Sequence, residues 1–384
     1  MIRDLVKKNK MKLLKQGILL ECLLIILLCF GLAFKAHGNE AALTGMSTPL
    51  LSKSDETIRW IDFDVSFEAL ERAYEWDLQT HAGDHPVNWI ELLALTAAKT
   101  GGKFSSKGMK TLEQMAEKLA AGSSTLAELT ADLSYYTYYL DAYGAVLDGL
   151  VGSYQEERID ESGQRFLEEK YGLKAFFPLA KGFDYSHHDD FGAGRSYGYD
   201  RKHLGHDMMG QIGTPIIAVE SGVVEALGWN QYGGWRVGIR SLDGRRYYYY
   251  AHMRQNYPYA EGLAQGDLVT AGDVIGYMGH TGYSATENVN NIEIIHLHWG
   301  LEVIFDEERR KDGYEIWVDV YPLTRFLARH RQEAVKVEGT HEWTRTTRII
   351  DPILEKSTLG ETAQEETALE ETAPEETASE KSTS

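Results

Sequence analysis

The chain has 384 residues, of which 43% are hydrophobic and 25% charged, and its formal net charge is −19. These values are ordinary for globular proteins, and the length is enough for two modest domains. The acidic balance argues against nucleic acid as a partner, because phosphate binding needs clustered Lys and Arg. The only two cysteines, Cys22 and Cys29, exclude a disulfide framework and a cysteine-only zinc site. Any metal would therefore be held by His and carboxylate side chains.

The N-terminal region has the pattern of a membrane anchor. Residues 1–16 are basic, and residues 17–34 form an apolar run close to the length of a membrane-spanning helix. The positive charge before the run predicts a cytoplasmic N-terminus and an extracytoplasmic remainder. A cleaved signal peptide is the alternative, since residues 31–33 form an acceptable cleavage site. We favour the anchor, with residues 35–57 as a polar tether.

Residues 58–170 have the periodicity of helices. Glycines 101 and 102 would stop one helix that begins near Pro86, and the helical pattern extends as far as Tyr154. We predict a helical bundle for this region. The apolar residues that show the spacing of three and four most clearly are Phe67, Leu70, Tyr74 and Leu78.

The pattern of residue types changes after residue 171. Short β-rich runs alternate with turn signals up to residue 330, and Asp243-Gly244 between two such runs indicates a hairpin. This part is predicted to be a mostly antiparallel β-domain, which makes the chain an α+β multidomain protein. Residues 331–384 read as an acidic low-complexity tail, because four copies of a five-residue repeat begin at Glu361.

Histidines in three separate stretches form the main chemical signal. His296 and His298 are two residues apart in an apolar run, so a strand would direct both side chains to one face. His252 ends a tyrosine-rich run and can reach that face from a neighbouring strand, while His203 and Asp207 flank a glycine just before another strand. Two imidazoles and a carboxylate can hold zinc with a fourth position open for water, which is typical of a hydrolase.

These stretches belong to a longer series of motifs that resembles the M23 family of zinc metallopeptidases, the lysostaphin-like and LytM-like peptidoglycan endopeptidases. The resemblance runs in the family's order from about residue 175 to residue 305. The motifs are Phe191-Gly-Ala-Gly-Arg195, His203-x-x-x-Asp207, Gly213-Thr-Pro-Ile-Ile-Ala218, Ser221-Gly-Val-Val224, Tyr250-Ala-His252, Gly276-Tyr-Met-Gly-His-Thr-Gly282 and His296-Leu-His298.

The resemblance implies a role for five residues. His203, Asp207 and His298 would bind a zinc ion (Zn2+), and His252 and His296 would be the catalytic pair, with the division of roles between these two left open. No cofactor beyond zinc is implied. His206 stands where the family usually has an apolar residue, and we interpret it as a neighbour rather than a ligand.

The resemblance also implies a function. We expect a membrane-anchored, zinc-dependent endopeptidase that hydrolyses peptide bonds in bacterial peptidoglycan during cell-wall remodelling. It would be a single-pass protein of the bacterial cell membrane, with the peptidase domain outside the cytoplasm. The alternative is a non-catalytic M23-like scaffold or activator that binds cell-wall or membrane partners, and a zinc peptidase for proteins or small peptides is a third possibility.

Two further stretches are open to interpretation. Residues 187–190, His-His-Asp-Asp, could mimic a metal cluster, but we expect a solvated turn because adjacent side chains diverge. Residues 284–295 are long for the link that precedes the last histidine pair. They are either a wall of the substrate groove or a plain surface excursion.

Overall fold

The computed structural model describes residues 61, 63–160, 162–197 and 200–351. The predicted basic segment, membrane anchor and tether, and the repeats after residue 361, lie outside this part of the chain. Among the described residues, none of the helices has the length and apolar character needed to cross a membrane.

Helices occupy the first part of the described chain, as the periodicity predicts. The first helix begins at Ser66, whose hydroxyl accepts a hydrogen bond from the backbone N–H of Ala69, and the second ends at Gly101 with a left-handed φ of 66°. Buried Asp77 accepts a hydrogen bond from the N–H of Trp89 and so ties these two helices together. The five helices are α1 (Phe67–Thr80), α2 (Trp89–Thr100), α3 (Ser106–Ala120), α4 (Leu126–Thr130) and α5 (Tyr136–Leu147).

The helical prediction is wrong after Leu147, where the chain forms a hairpin of β1 (Val151–Ile159) and β2 (Arg165–Leu173). The turn is stabilised by Asp160, whose carboxylate accepts hydrogen bonds from the N–H groups of Ser162 and Gln164. The alternation of buried Tyr154 and Glu156 with more exposed neighbours is the period-two pattern of a strand.

The prediction of a tail from residue 331 is also wrong as far as residue 351. β15 (Ala334–Lys336) pairs with β16 (Trp343–Arg345), and β17 (Ile349–Ile350) pairs with the first strand of the hairpin. Buried Asp351 forms an ion pair with Lys174, with 2.8 Å between Oδ2 and Nζ. These contacts over-ride the low apolar content of the segment.

An eight-stranded antiparallel sheet is the largest sheet of the described residues, and it confirms the prediction of a mostly antiparallel β-structure. Its strand order is β11-β8-β9-β10-β13-β6-β3, with β14 beside β13. The strands are β3 (Ser186–His187), β6 (His206–Met209), β8 (Gly222–Asn230), β9 (Gly234–Ser241), β10 (Arg246–Ala251), β11 (Leu268–Val269), β13 (His296–Val303) and β14 (Ile316–Val318). Smaller pairs are formed by β4 (Gly194–Arg195) with β5 (Arg201–Lys202) and by β7 (Pro215–Ile217) with β12 (Val274–Tyr277).

One hydrophobic core joins the helices to this sheet. Helical residues such as Leu92 and Tyr143 belong to the same buried cluster as Trp299 and Leu301 of β13. Phe326, in α7 (Tyr321–Leu327), stacks on the ring of Trp89 with 5.7 Å between ring centroids, and a short helix α6 (Glu307–Lys311) precedes it. The predicted boundary at residue 170 therefore does not separate two cores, and helices α1, α2, α3 and α5 share the buried cluster on one face of the sheet.

Candidate metal centre

Three antiparallel strands place site residues on the face of the sheet opposite the buried cluster. His298 of β13 pairs with Asp207 of β6 on one side and with Ala251 of β10 on the other. His296 lies two residues earlier on β13, so its side chain is on the same face. His203 lies in the loop before β6, where its N–H donates to the carbonyl of Ala193.

Three of the five predicted site residues converge on one point. His203 Nε2 lies 3.0 Å from Asp207 Oδ1 and 2.9 Å from His298 Nδ1, and His298 Nδ1 lies 2.9 Å from Asp207 Oδ1. Each residue offers one ligand atom, and these atoms all lie within 4.8 Å of one another. Two imidazole nitrogens and one carboxylate oxygen form a donor set that zinc accepts.

The hydrogen bonds of His203 show why a cation fits between these atoms. Its Nδ1 faces two acceptors of Asp190, the backbone carbonyl and the carboxylate, each at 3.1 Å, so Nδ1 carries a proton. A neutral His203 then directs the lone pair of Nε2 at the carboxylate of Asp207. Burial lowers the pKa of His203, but hydrogen bonds to Asp190 and Asp207 outweigh burial and raise it to about 9. Either a proton or a shared metal ion relieves the repulsion between the Nε2 lone pair of His203 and the carboxylate of Asp207.

Asp190 and Arg195 support the three converging residues from behind. The Asp190 carboxylate accepts from His203, and Arg195 Nη2 donates both to Asp190 Oδ2 at 3.0 Å and to Asp207 Oδ2 at 2.9 Å. Burial raises the pKa of Asp190, but the hydrogen bond to His203 and the nearby ring of His206, 3.6 Å away, outweigh it and hold that pKa well below its ordinary value. Such a carboxylate fixes the tautomer and orientation of a metal-binding histidine.

The expectation of a solvated turn at residues 187–190 is therefore wrong for two of its members. Asp190 is only 9% exposed, and His187 packs against His206 and Tyr321. The cause is a long-range pairing that adjacent residues do not reveal, because β3 pairs with β6, the strand that carries Asp207.

His206 lies outside the three-atom cluster. It is 1% exposed, and its Nε2 lies 2.8 Å from Nδ1 of His187 on the core side of β6. Adjacent residues in a strand face opposite sides, which is why His206 and Asp207 separate.

His252 and His296 lie beside the cluster, with 4.7 Å between their ring centroids. His252 Nδ1 donates to the carbonyl of Thr281 at 2.9 Å, and His296 Nδ1 donates to the carbonyl of Ile294 at 2.8 Å, because a carbonyl can only accept. Both Nε2 atoms are thus left with a lone pair in the neutral ring, and that of His296 lies 3.6 Å from Asp207 Oδ1. Burial, followed by the charges of neighbouring histidines, lowers the pKa of His252 well below its ordinary value.

All five residues line one groove of about 770 Å³. Ile292, Glu293 and Ile294 contribute to its lining, so the long segment before β13 forms a wall. That wall is braced by Asn288, whose side-chain oxygen accepts a hydrogen bond from Trp235 Nε1 at 2.9 Å. In the described part of the chain, the helical region contributes no residue to the lining.

Comparison with known proteins agrees with this geometry. Residues 201–311 match the model of peptidase family M23. The L-Ala–D-Glu endopeptidase of Bacillus subtilis (strain 168) is 32% identical over 217 residues, which cover 53% of this chain and 63% of that protein. Lysostaphin of Staphylococcus simulans is 36% identical over 89 residues, covering 23% of this chain and 17% of lysostaphin.

A solved structure from Ruminococcus gnavus ATCC 29149, assigned as a glycyl-glycine endopeptidase lytM, is 23% identical. It covers 74% of this chain and 94% of that one, with a TM-score of 0.46. The chain spans less than two thirds of the length of the two curated relatives above.

Proposed function

Residues 201–311 form a domain of peptidase family M23, and from this premise we propose that the chain is a zinc-dependent endopeptidase that hydrolyses peptide bonds of bacterial peptidoglycan. The observation that carries the proposal is the convergence of His203, Asp207 and His298 within a groove. The curated relatives, an L-Ala–D-Glu endopeptidase and lysostaphin, support the class of bond.

In this proposal His203, Asp207 and His298 hold the zinc ion, and Asp190 and Arg195 keep the first two in place. When bound, zinc supplies the Lewis acidity that activates water toward a peptide carbonyl at neutral pH. The chain contributes a preorganised site, because two of the three ligand side chains, His203 and Asp207, already have a partner outside the cluster. This lowers the cost of ordering the ligands when the metal binds.

His252 and His296 handle the proton transfers of hydrolysis. Each presents an Nε2 lone pair, and both line the groove that would hold the scissile bond. One ring can accept the proton of the attacking water, and a protonated ring can donate to the leaving amine. The lowered pKa of His252 keeps its ring neutral at physiological pH, so its Nε2 lone pair is not blocked by a proton.

We propose a bond of the stem peptide, rather than a glycine bridge, as the one that is cut. The match to the L-Ala–D-Glu endopeptidase extends over 217 residues, whereas the match to lysostaphin is confined to 89. The longer match supports a shared substrate class.

We also propose that residues 17–34 anchor the chain in the cell membrane with the peptidase domain outside. This rests on the basic residues before an apolar run of sufficient length. Protease added to intact cells should remove the peptidase domain from a membrane-bound fragment. Recovery of the domain in the cytoplasmic fraction would contradict the proposal.

The decisive experiment measures bound metal and the release of new amino termini from purified, cross-linked peptidoglycan. We expect near-stoichiometric zinc and turnover in the unmodified chain, and loss of both in His298→Ala. Removal of zinc by a chelator should abolish turnover, and added zinc should restore it. Full activity of His298→Ala would refute the enzymatic proposal, and binding to cell wall without new amino termini would favour the scaffold alternative.

A further inference from the structure

A row of residues crosses the groove floor from the metal centre to a guanidinium group. Asp207, His298 and Ala251 are register partners on β6, β13 and β10. The pairing of Tyr250 with Val237 places the next residue of β9, Arg236, beside Ala251 in the same row. Two strand spacings separate Arg236 from His298, which corresponds to about 10 Å between their Cα atoms.

The side chain of Arg236 is on the groove side of the sheet. Val237 and Ile239 of the same strand are fully buried in the core, so Arg236 faces the other way, and it lines the same groove as the metal centre. Ala251, which lies between Arg236 and His298 in this row, also lines the groove.

Among the described arginines of the groove, Arg236 and Arg201 have no anionic partner, but Arg201 donates hydrogen bonds to the carbonyl of Tyr197 and the hydroxyl of Tyr283. Arg195 is paired with Asp190 and Asp207, and Arg310 is paired with Glu302 and with Glu225 outside the groove. For Arg236, by contrast, the described residues include no carboxylate within ion-pair distance. Its Nε is buried and has no hydrogen-bond acceptor.

The tyrosines around Arg236 do not neutralise it. Burial raises the pKa of Tyr247 to about 12 and raises that of Tyr249 as well, although the charge of Arg236 opposes both shifts. Both phenols are therefore neutral at physiological pH. Tyr247 lies against Gly238, where a Cβ would come within 2.0 Å of its Oη, so this ring forms a neutral wall next to the guanidinium.

A half-buried cation without an anion is costly, and the cost is recovered when a ligand supplies the missing charge. We infer that Arg236 binds a carboxylate of the substrate and makes the groove selective for acidic stem peptides over neutral peptides. This inference rests on the proposed function. An extended peptide covers about 10 Å in roughly three residues, so the carboxylate belongs within that distance of the bond that is cut.

The remaining acids of the groove do not oppose this assignment. Glu302 is neutralised by Arg310, and exposed Glu315 accepts a hydrogen bond from Trp317 Nε1 at 2.7 Å. Glu293 is an exposed residue of the wall. A guanidinium can bind a carboxylate through two parallel hydrogen bonds, which gives orientation as well as affinity.

The test compares two soluble peptides that contain an L-Ala–D-Glu bond and differ only in whether the free glutamate carboxylate is retained or converted to a carboxamide. We expect the unmodified, zinc-loaded chain to prefer the carboxylate peptide by about tenfold or more in kcat/KM, equivalent to about 1.4 kcal/mol. In Arg236→Gln the ratio of kcat/KM between the two peptides should fall to about 1, and the zinc content should stay unchanged.

Arg240→Gln is the matched control. Arg240 lies on the same strand and face but outside the groove lining, and it is paired with Glu225 and Glu307. The Arg240→Gln variant loses the same positive charge as Arg236→Gln but should retain the preference for the carboxylate peptide. A preference that persists in Arg236→Gln, or that disappears equally in Arg240→Gln, would overturn the inference.

Calorimetric binding of the same two peptides separates this inference from the proposed function. Tighter binding of the carboxylate peptide that depends on Arg236, without cleavage, supports the inference and refutes the peptidase. Cleavage of both peptides at equal rates supports the peptidase and refutes the role of Arg236. Absence of both binding and cleavage refutes the two together.

Discussion

The two faces of the central sheet are built from the same strands but have different tasks. On β13, Leu297, Trp299 and Leu301 pack into the core, whereas His296 and His298 face the groove. On β10 the same alternation sends Tyr248 and Tyr250 inward and leaves Tyr249 and Ala251 on the groove side. One residue of shift along a strand thus separates packing from chemistry.

This difference teaches that function and stability can be disturbed independently. Groove-side residues such as His296 and His298 line the groove, while core-side residues such as Leu297 and Leu301 belong to the buried apolar cluster. We therefore expect substitutions on the groove side to change metal binding or turnover at nearly constant stability. Substitutions on the core side should do the reverse.

The largest effect is expected for His252→Asn, which removes a proton acceptor from the groove. Asn tolerates the left-handed backbone of this position, where φ is 62°, so the fold should persist. We expect kcat/KM to fall about 10²–10⁴-fold while the zinc content stays the same. His85→Asn, at an exposed site in the helical region, is the control, and equal losses in both variants would contradict the assignment.

Trp299→Ala should lower stability rather than activity. The expected loss of free energy is similar in size to the rise in activation free energy expected for His252→Asn. Trp299 is fully buried, and its truncation leaves a cavity that should lower the free energy of unfolding by about 3–5 kcal/mol. Denaturant unfolding measures this change. Trp317→Ala, on the groove side of β14, should cost clearly less, and a larger loss there would break the distinction between the faces.

A smaller effect is expected for Asp190→Asn, which keeps the shape of the side chain but removes the charge behind His203. Zinc affinity should fall about 10–100-fold, as measured by competition with a chromophoric chelator. Exposed Asp189→Asn makes the same change of charge one residue earlier and should leave the affinity unchanged. Unaltered affinity in Asp190→Asn would show that Arg195 alone positions the ligands.

Much of the candidate site could be anticipated from local sequence. The spacing of His296 and His298 requires one shared face in any strand, and the structure places both side chains in the groove. The short loop from His203 to Asp207 brings two ligand atoms within 3.0 Å. These features depend only on a few neighbouring residues, so the local sequence is enough to predict them.

Features that depend on distant partners could not be anticipated in this way. Asp190 becomes part of the site only because the loop between it and His203 brings the two residues together. The lack of an ion-pair partner at Arg236 depends on where the neighbouring strands place their carboxylates. The strand at Val151–Ile159 had a readable alternation and a turn at Asp160, which the helical interpretation of the preceding segment obscured.

The pairing of the last described strand with β1 has a consequence for the order of events during synthesis. β1 is complete at residue 159, yet Ile349 and Ile350, which cover its edge, are made about 190 residues later. Lys174 likewise has no ion-pair partner at Asp351 until that residue has been made. During synthesis the hairpin edge thus stays open until nearly all of the described chain has been made, and closure of that edge should be among the last steps of folding.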